Sequence, residues 1–190
     1  MDIRVVGYAH PDAQLLIAEV QQEYVRRYGD ADVTPVEATE FDPPHGLFAV
    51  LYDDDGRPVG TGAWRARDSD PEQPGLADGD AELKRMYTVP SARGRGLARA
   101  MLRYLEDRAR QAGRLRFVLE TGTEQPEALA LYASEGYLPT VKFGVYRDHP
   151  LSVCLAKPLT AAVPAGAVPA GGGYDADAVV GAGGAEARTA

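Results

Sequence analysis

A glycine-spaced, arginine-rich loop is the stretch of the sequence with the clearest chemical use. It spans residues 93–98, reads Arg-Gly-Arg-Gly-Leu-Ala, and follows a strand-like segment that ends at Pro90. Glycine lets a backbone approach a bulky anion, and the free N–H groups of a following helical turn point toward that anion. Guanidinium groups match the geometry of phosphate oxygens, and here they come from Arg93, Arg95 and Arg99. The loop therefore predicts a binding site for phosphate or diphosphate.

Two common phosphate-binding motifs do not fit this loop. A P-loop ends in Gly-Lys-Ser or Gly-Lys-Thr, whereas Leu97 and Ala98 follow Gly96 here. A dinucleotide-binding fingerprint requires a third glycine, and Arg99 stands at that position. The pattern that fits is Arg/Gln-x-x-Gly-x-Gly/Ala, which residues 93–98 satisfy.

A second motif follows downstream. A strand-like segment ends in Leu-Glu-Thr-Gly at residues 119–122, and residues 128–137 read Ala-x-x-Leu-Tyr-x-x-x-Gly-Tyr. The two motifs in this order resemble the GNAT N-acetyltransferase superfamily, and the resemblance covers about residues 3–159. It implies the GNAT fold, which is mixed α/β. A central mixed sheet of about seven strands contains a parallel pair splayed by a bulge, and about four helices flank the sheet.

The resemblance implies acetyl-CoA as a co-substrate and no metal. In the family, the pantetheine arm pairs with backbone groups of the strand before the loop, which correspond to Met86, Tyr87 and Thr88. Diphosphate oxygens accept hydrogen bonds from loop amides, and the matching positions here are Arg93, Gly94, Arg95, Gly96, Leu97, Ala98 and Arg99. An Asn that often contacts the cofactor at the start of the later helix is replaced here by Gln125.

Acetylation of an amine requires a base for the amine proton, a donor to the developing oxyanion and an acid for the departing thiolate. A main-chain N–H on the bulged strand can supply the oxyanion donor. The resemblance places Tyr132 at the position of the acid, and the alternative role for Tyr132 is a packed helix aromatic. Among candidate bases, Glu82 matches the catalytic Glu of the family's histone acetyltransferases. Glu120 matches the Glu of its ribosomal-protein acetyltransferases.

Both carboxylates belong to the central parallel strands, where burial is expected to raise a carboxyl pKa toward the useful range. Each has a structural alternative. Glu82 would pair with Lys84 or Arg85, and Glu120 would anchor the adjoining turn.

Hydrophobic periodicity predicts the elements that hold these residues. Strands are predicted at residues 3–7, 46–52, 58–67, 82–89, 116–120, 137–145 and 151–156. Helices are predicted from residue 11 to about 28, from 97 to 113 and from 127 to about 135, with a short turn at 36–38. On the first helix, the apolar stripe is predicted to include Leu15 and Val25. The helix after the loop joins two strands and is therefore expected to be a parallel, right-handed crossover.

Length and composition predict one globular domain over residues 1–159. The remaining residues, 160–190, are rich in Ala, Gly and Pro and are predicted to be a disordered tail. The net charge of −8 argues against a general nucleic-acid or anionic-membrane binder. A single cysteine leaves no internal disulfide, and no apolar run approaches the roughly 20 residues that span a bilayer. A cytoplasmic protein is expected.

The acceptor stays open at this level. Small amines, amino acids, antibiotics and the N-termini or lysines of proteins are all alternatives, and the acidic balance favours a small cationic amine. The fold implied by the resemblance often forms homodimers. Because Gln125 departs from the family pattern and two bases compete, a non-catalytic acyl-CoA-binding sensor or scaffold is the competing hypothesis. A third hypothesis keeps the enzyme and replaces acetyl-CoA by a longer acyl-CoA.

Overall fold

The structure is a computed structural model that describes residues 1–159, and the predicted tail at 160–190 lies outside the described residues. Within this part there are three α-helices, α1 (Pro11–Tyr28), α2 (Leu97–Gln111) and α3 (Pro126–Ser134). The first strands are β1 (Asp2–Val5), β2 (Gly46–Tyr52), β3 (Pro58–Arg67) and β4 (Asp80–Thr88). The later strands are β5 (Arg116–Gly122), β6 (Leu138–Pro139) and β7 (Ser152–Pro158).

The strands form one seven-stranded sheet in the order β1-β2-β3-β4-β5-β7-β6. Its pairs are antiparallel except β4 with β5, which run parallel and are joined by α2. The predicted mixed sheet with one parallel pair is therefore confirmed. The described part has three α-helices instead of about four, and the turn expected near residues 36–38 is the 3-10 helix Ala38–Phe41.

Hydrophobic clusters cover both faces of the sheet. On one face, α2 and α3 pack on Trp64, Leu83 and Leu119. On the other face, α1 packs on a cluster that includes Phe48 and Val50. The prediction that Leu15 and Val25 belong to the α1 stripe is wrong, because they are 51% and 40% exposed. The buried stripe has the regular spacing of a helix face and consists of Ala13, Leu16, Ile17 and Val20.

Helix α2, which directly follows the glycine loop, is anchored on the sheet by apolar side chains that recur at helical spacing. Leu97, Met101, Leu102, Leu105 and Ala109 are all buried against the sheet. Arg99 and Arg103, which would repel each other, are both held by Glu135 at the end of α3, each with an Nε to carboxylate oxygen distance of 2.8 Å. Asp107 pairs instead with Arg110, one turn further along the helix.

The predicted strand at residues 137–145 is much shorter than expected. Only Leu138 and Pro139 pair with β7. Pro139 lacks the N–H that a longer ladder requires, and Gly144 has φ +84°, outside the range of a strand. Within the described residues, no helix combines the length and apolar character needed to cross a membrane.

Candidate active site

The parallel strands β4 and β5 pair over only part of their length and then separate. They pair at Asp80–Arg116, Ala81–Phe117 and Glu82–Val118, and their registered pairing ends there. Beyond that point β4 continues along β3, while β5 continues along β7 to Gly122. An opening therefore begins in the middle of the sheet directly after Glu82.

A bulge in β4 accompanies this opening. The register with β3 pairs Thr61 with Tyr87 but Ala63 with Lys84, so that β4 contains one extra residue between these pairs. Arg85 lies at the bulge with φ 54°, in the left-handed region. Because a bulge bends its strand and increases the local twist, it accounts for the separation of β4 from β5.

A groove of about 390 Å³ runs from the end of β4 to the glycine loop and α3. It brings together ten of the eleven residues predicted to contact the co-substrate: Met86, Tyr87, Thr88, Arg93, Gly94, Gly96, Leu97, Ala98, Arg99 and Gln125. The remaining residue, Arg95, is exposed and does not line the groove.

Both glycines of the loop have left-handed backbone. Gly94 and Gly96 both have φ +76°, and Gly96 is the residue that precedes the first turn of α2. A Cβ at either glycine would meet no atom of residues 1–159 within 4 Å, so glycine is favoured here by the backbone conformation and not by crowding. The first-turn N–H groups of α2 have no helical acceptor, and among the described residues no other acceptor engages them, so that they can face an anion.

A second cavity, of about 380 Å³, opens on the α1 side of the parted strands. Its walls come from β4, β5, the end of α1, residues 30–34 and residues 146–152. The groove and this cavity share four lining residues, which are Tyr24, Met86, Gln125 and Tyr132. The two spaces therefore meet beside the Tyr132 side chain.

Glu120 lines the cavity on the β5 side. Its Oε1 accepts a 2.8 Å hydrogen bond from Ser152 Oγ, and within residues 1–159 no cationic side chain lies within ion-pair distance of it. Burial raises the pKa of Glu120, and the Ser152 bond and the charge of Lys84 oppose that rise only in part. The predicted rise is confirmed for this carboxyl group, whose pKa moves toward the range where a base works at neutral pH.

Glu82 has a different environment and does not line either cavity. It is 2% exposed, and it accepts from Arg65 Nε at 2.8 Å and pairs with Lys84 Nζ at 2.7 Å. Burial acts to raise its pKa, but the charges and hydrogen bonds of Lys84 and Arg65 outweigh burial and lower it. The expectation that burial raises the pKa is therefore wrong for Glu82. The pairing with Lys84 is found, whereas Arg85 pairs with Asp32.

We expect Glu82→Gln to destabilise the protein by about 3 kcal/mol at neutral pH, because it leaves buried cations without their anion. The lowered pKa means that the stabilisation is present above the unfolded-state pKa and is lost as pH falls through the folded-state pKa. Urea unfolding of Glu82→Gln and of the exposed control Glu72→Gln, at neutral and acidic pH, measures this. Equal stability of the two variants at neutral pH would contradict it.

Tyr132 lies at the junction with an unengaged hydroxyl. Its ring packs on Tyr137, with centroids 5.5 Å apart. The Tyr137 hydroxyl donates to Glu106 at 2.8 Å, whereas the Tyr132 hydroxyl has no hydrogen-bond partner in the described part of the chain. Burial raises the pKa of Tyr132, so its proton is retained at neutral pH. Tyr132 thus brings a protonated hydroxyl to the place where the groove and the cavity meet.

Gln125 and Arg93 line the groove but also contact other parts of the protein. Gln125 Nε2 donates to the hydroxyl of Tyr28 at 3.0 Å, which ties the start of α3 to the end of α1. Arg93 Nε donates to the carbonyl of Thr88 at 3.1 Å, and its Nη2 lies 3.5 Å from Glu23. Among residues 1–159, no group of three or more His, Cys, Asp or Glu side chains is placed to hold a metal ion.

Sequence reasoning missed most of the cavity wall. Asp32, Arg85 and Tyr146 line it together with Tyr24 and Tyr28. These residues come from a helix end, a bulge and two irregular segments, which have no shared motif. The only available signal was the length of the connection after α1, since long loops in compact domains are often functional.

Comparisons with known proteins agree with this geometry. The model of the acetyltransferase (GNAT) family matches residues 14–137, more than half of the chain. The chain is 43% identical over 81 residues to the IAA acetyltransferase of Azospirillum brasilense, covering 43% of this chain and 53% of that protein. It is 34% identical over 95 residues to an uncharacterized N-acetyltransferase, YjgM, of Escherichia coli K12, covering 50% and 52%. The chain thus spans about half the length of these curated relatives.

A solved structure from Klebsiella pneumoniae, which carries a provisional acyl-CoA N-acyltransferase name, superposes with a TM-score of 0.65. It is 30% identical to this chain, and the alignment covers 84% of this chain and 97% of that one. The family model, this alignment and the separation of β4 from β5 all support the same assignment. The chain belongs to the acetyltransferase (GNAT) family.

Proposed function

We propose that this protein is an acetyl-CoA-dependent N-acetyltransferase that transfers the acetyl group directly from the thioester to an amine. The observation that carries the proposal is the meeting of the groove and the cavity where β4 and β5 part. A donor in the groove and an acceptor in the cavity would approach each other beside Tyr132, with Glu120 in the same cavity wall. The Azospirillum relative's name, IAA acetyltransferase, supports acetyl as the transferred group.

The residues of the groove fit an acyl-CoA. The left-handed turns at Gly94 and Gly96 and the free first-turn N–H groups of α2 suit a diphosphate. Within residues 1–159, the edge of β4 that faces away from β3 has no registered strand partner beyond Glu82, so backbone groups at residues 86–88 are available to an amide-containing arm. When bound, acetyl-CoA supplies the thioester, which is the activated acyl group of the reaction.

Each catalytic demand has a candidate among the chain's own groups. Glu120 takes the proton of the ammonium form, directly or through a water molecule, so that the nitrogen can form its bond to the acyl carbon. A main-chain N–H at the bulge would face the developing oxyanion. As the carbon–sulfur bond breaks, Tyr132 would give its proton to the sulfur, and the second proton that the nitrogen loses on becoming an amide would restore the Tyr132 hydroxyl. Glu82 would instead hold Lys84 and Arg65 in place.

We expect Tyr132→Phe to lower kcat by about 100-fold, since a positioned general acid contributes about that much or more. The substitution deletes only the hydroxyl, so the fold and the affinity for acetyl-CoA should be unchanged. Steady-state kinetics and acetyl-CoA titrations measure both quantities. The matched control is Tyr104→Phe, because Tyr104 lies on α2 and lines neither the groove nor the cavity. An unchanged kcat in Tyr132→Phe would reduce Tyr132 to a packing role.

The test of the whole proposal is acetyl-CoA consumption across an acceptor panel of small amines, amino acids, peptide N-termini, lysine peptides and IAA. Steady transfer to one class supports the proposal, and comparison with longer acyl-CoAs tests the donor. Saturable acyl-CoA binding with no transfer to any acceptor would favour the sensor or scaffold hypothesis. Absence of binding would overturn both. A cytoplasmic location and homodimerisation stay predictions from the sequence.

A further inference from the structure

Arg85 occupies a costly backbone position. Within residues 1–159, it is the non-glycine residue with φ in the left-handed region, at 54°. Glycine adopts this conformation without penalty, and Asn and Asp adopt it more readily than Arg. Strained residues of this kind persist only where their surroundings impose them, and they concentrate at functional sites. Backbone preference therefore does not explain why an arginine stands at the bulge.

The side chain of Arg85 is buried but incompletely paired. The residue is 6% exposed and lines the cavity. Its Nη1 is bonded to the Asp32 carboxylate, whereas its buried Nε has no hydrogen-bond partner in the described part of the chain. Leaving a buried charged donor unpaired is unfavourable. Nη1 is thus held by the protein, and within residues 1–159 no hydrogen bond engages Nη2, which is the donor left for a molecule in the cavity.

The surroundings of Arg85 fix its orientation without using those donors. Asp32 Oδ1 accepts from the Thr34 N–H at 2.9 Å and from the Tyr146 hydroxyl at 3.3 Å, so that Asp32 is itself firmly held. The other cation of the cavity wall, Lys84, is engaged by Glu82. Arg85 is therefore the cavity cation that retains capacity for a further anion.

Across the parted strands, the same cavity contains Glu120, which has no cationic partner among the described residues. A guanidinium edge on β4 and an unpaired carboxylate on β5 complement a molecule that carries both an anion and an amine. A planar carboxylate matches the guanidinium fork in geometry. We propose, on the basis of the proposed function, that the acceptor is a small amino-carboxylate whose carboxylate binds Arg85 while its amine lies beside Glu120.

An amino acid is the simplest molecule of this class. The cavity of about 380 Å³ has room for one, and its tyrosine walls add apolar surface for a side chain. A lysine side chain or an N-terminus within a protein carries no free carboxylate next to its amine. The proposal therefore separates small amino-carboxylates from protein acceptors and from simple amines.

The test compares kcat/KM for the proteinogenic amino acids with kcat/KM for their primary amides, which keep the size and remove the anion. We expect the wild type to prefer an amino acid over its amide by at least about tenfold, the scale of losing a hydrogen-bonded charge. Arg85→Asn should abolish this preference, because it lowers kcat/KM for the amino acid and leaves kcat/KM for the amide unchanged. Asn is chosen because it tolerates the left-handed backbone at residue 85. Arg85→Lys keeps the positive charge but not the planar guanidinium, so its preference for the acid over the amide should lie between those of the wild type and Arg85→Asn. Arg57→Gln, at an exposed turn, should behave as wild type.

The ratio of kcat/KM for the acid to kcat/KM for the amide is measured within one variant. A smaller amount of folded enzyme lowers both values equally and leaves the ratio unchanged. Equal rates for acids and amides in the wild type, or an equal fall for both in Arg85→Asn, would overturn the assignment. Calorimetric binding of the same amino acids with CoA present gives a readout without turnover. Carboxylate-dependent binding that Arg85→Asn removes supports the assignment even if no acetyl transfer occurs, in which case only the proposed function fails. Absence of binding and turnover with every amino acid would contradict it.

Discussion

Gly96→Asp is expected to weaken acetyl-CoA binding by about 100-fold, or about 2.7 kcal/mol, while the fold is retained. In the part of the chain that the structure describes, a Cβ at residue 96 would meet no atom within 4 Å, and Asp is among the residues that tolerate positive φ. Asp is also a favoured residue before the first turn of a helix, so α2 should still form. Its carboxylate, however, would occupy the first-turn N–H groups and repel a diphosphate. Calorimetric titration with acetyl-CoA measures the loss.

Gly96→Asn is the matched control for this substitution. Asn has nearly the same shape and capping ability without the charge, so the loss of affinity should be much smaller, about tenfold or less. Raising the salt concentration should narrow the difference between the two variants, because screening weakens the charge repulsion. Normal affinity in Gly96→Asp would show that the donor does not bind at this loop and would remove the main support for the proposed function.

Glu120→Gln is expected to lower kcat/KM at neutral pH by about 100-fold to 1,000-fold, the contribution of a positioned general base. Because burial raises the pKa of Glu120, its ionised form is lost as pH falls through that raised value. The wild type should therefore lose activity on the acidic side, and Glu120→Gln should lack that limb. A pH profile of kcat/KM for both proteins measures the effect.

Ser152→Ala provides a graded control, because Ser152 donates the hydrogen bond that opposes the rise in the Glu120 pKa. Its removal should move the acidic limb to higher pH without removing it.

The stability of the folded protein gives a second contrast, between Glu120→Gln and Glu82→Gln. A carboxyl group whose pKa is raised by folding stabilises the protein below its unfolded-state pKa and loses that contribution as pH rises through the folded-state pKa. Glu120→Gln should therefore not destabilise the protein at neutral pH, unlike Glu82→Gln.

A Glu120→Gln enzyme with wild-type kcat/KM and an unchanged acidic limb would place the base elsewhere. Glu82 would then return as a candidate despite its lowered pKa. The combination of an active Glu120→Gln and an inactive but folded Glu82→Gln would establish that alternative directly.

The features that the sequence predicted correctly depend on consecutive residues. The sequence places Gly94 and Gly96 close to the start of a predicted helix, and both adopt left-handed backbone. Helix α2 needs apolar side chains at regular spacing, which the sequence contains. The order of these elements, with one crossover helix, indicated the parallel pair. Such requirements are local, because backbone conformation and side-chain periodicity are set by neighbours along the chain.

Only the tertiary structure distinguished the two carboxylates. Glu82 and Glu120 are the same residue type on adjacent strands, but Arg65 on β3 holds Glu82 charged, whereas Ser152 on β7 is a weak partner that leaves Glu120 with a raised pKa. Likewise, Arg85 is paired with Asp32, which comes from a connection far away in the sequence. Burial and ion pairing depend on residues brought together from distant segments, so no local pattern in the sequence determines the charge of this cavity.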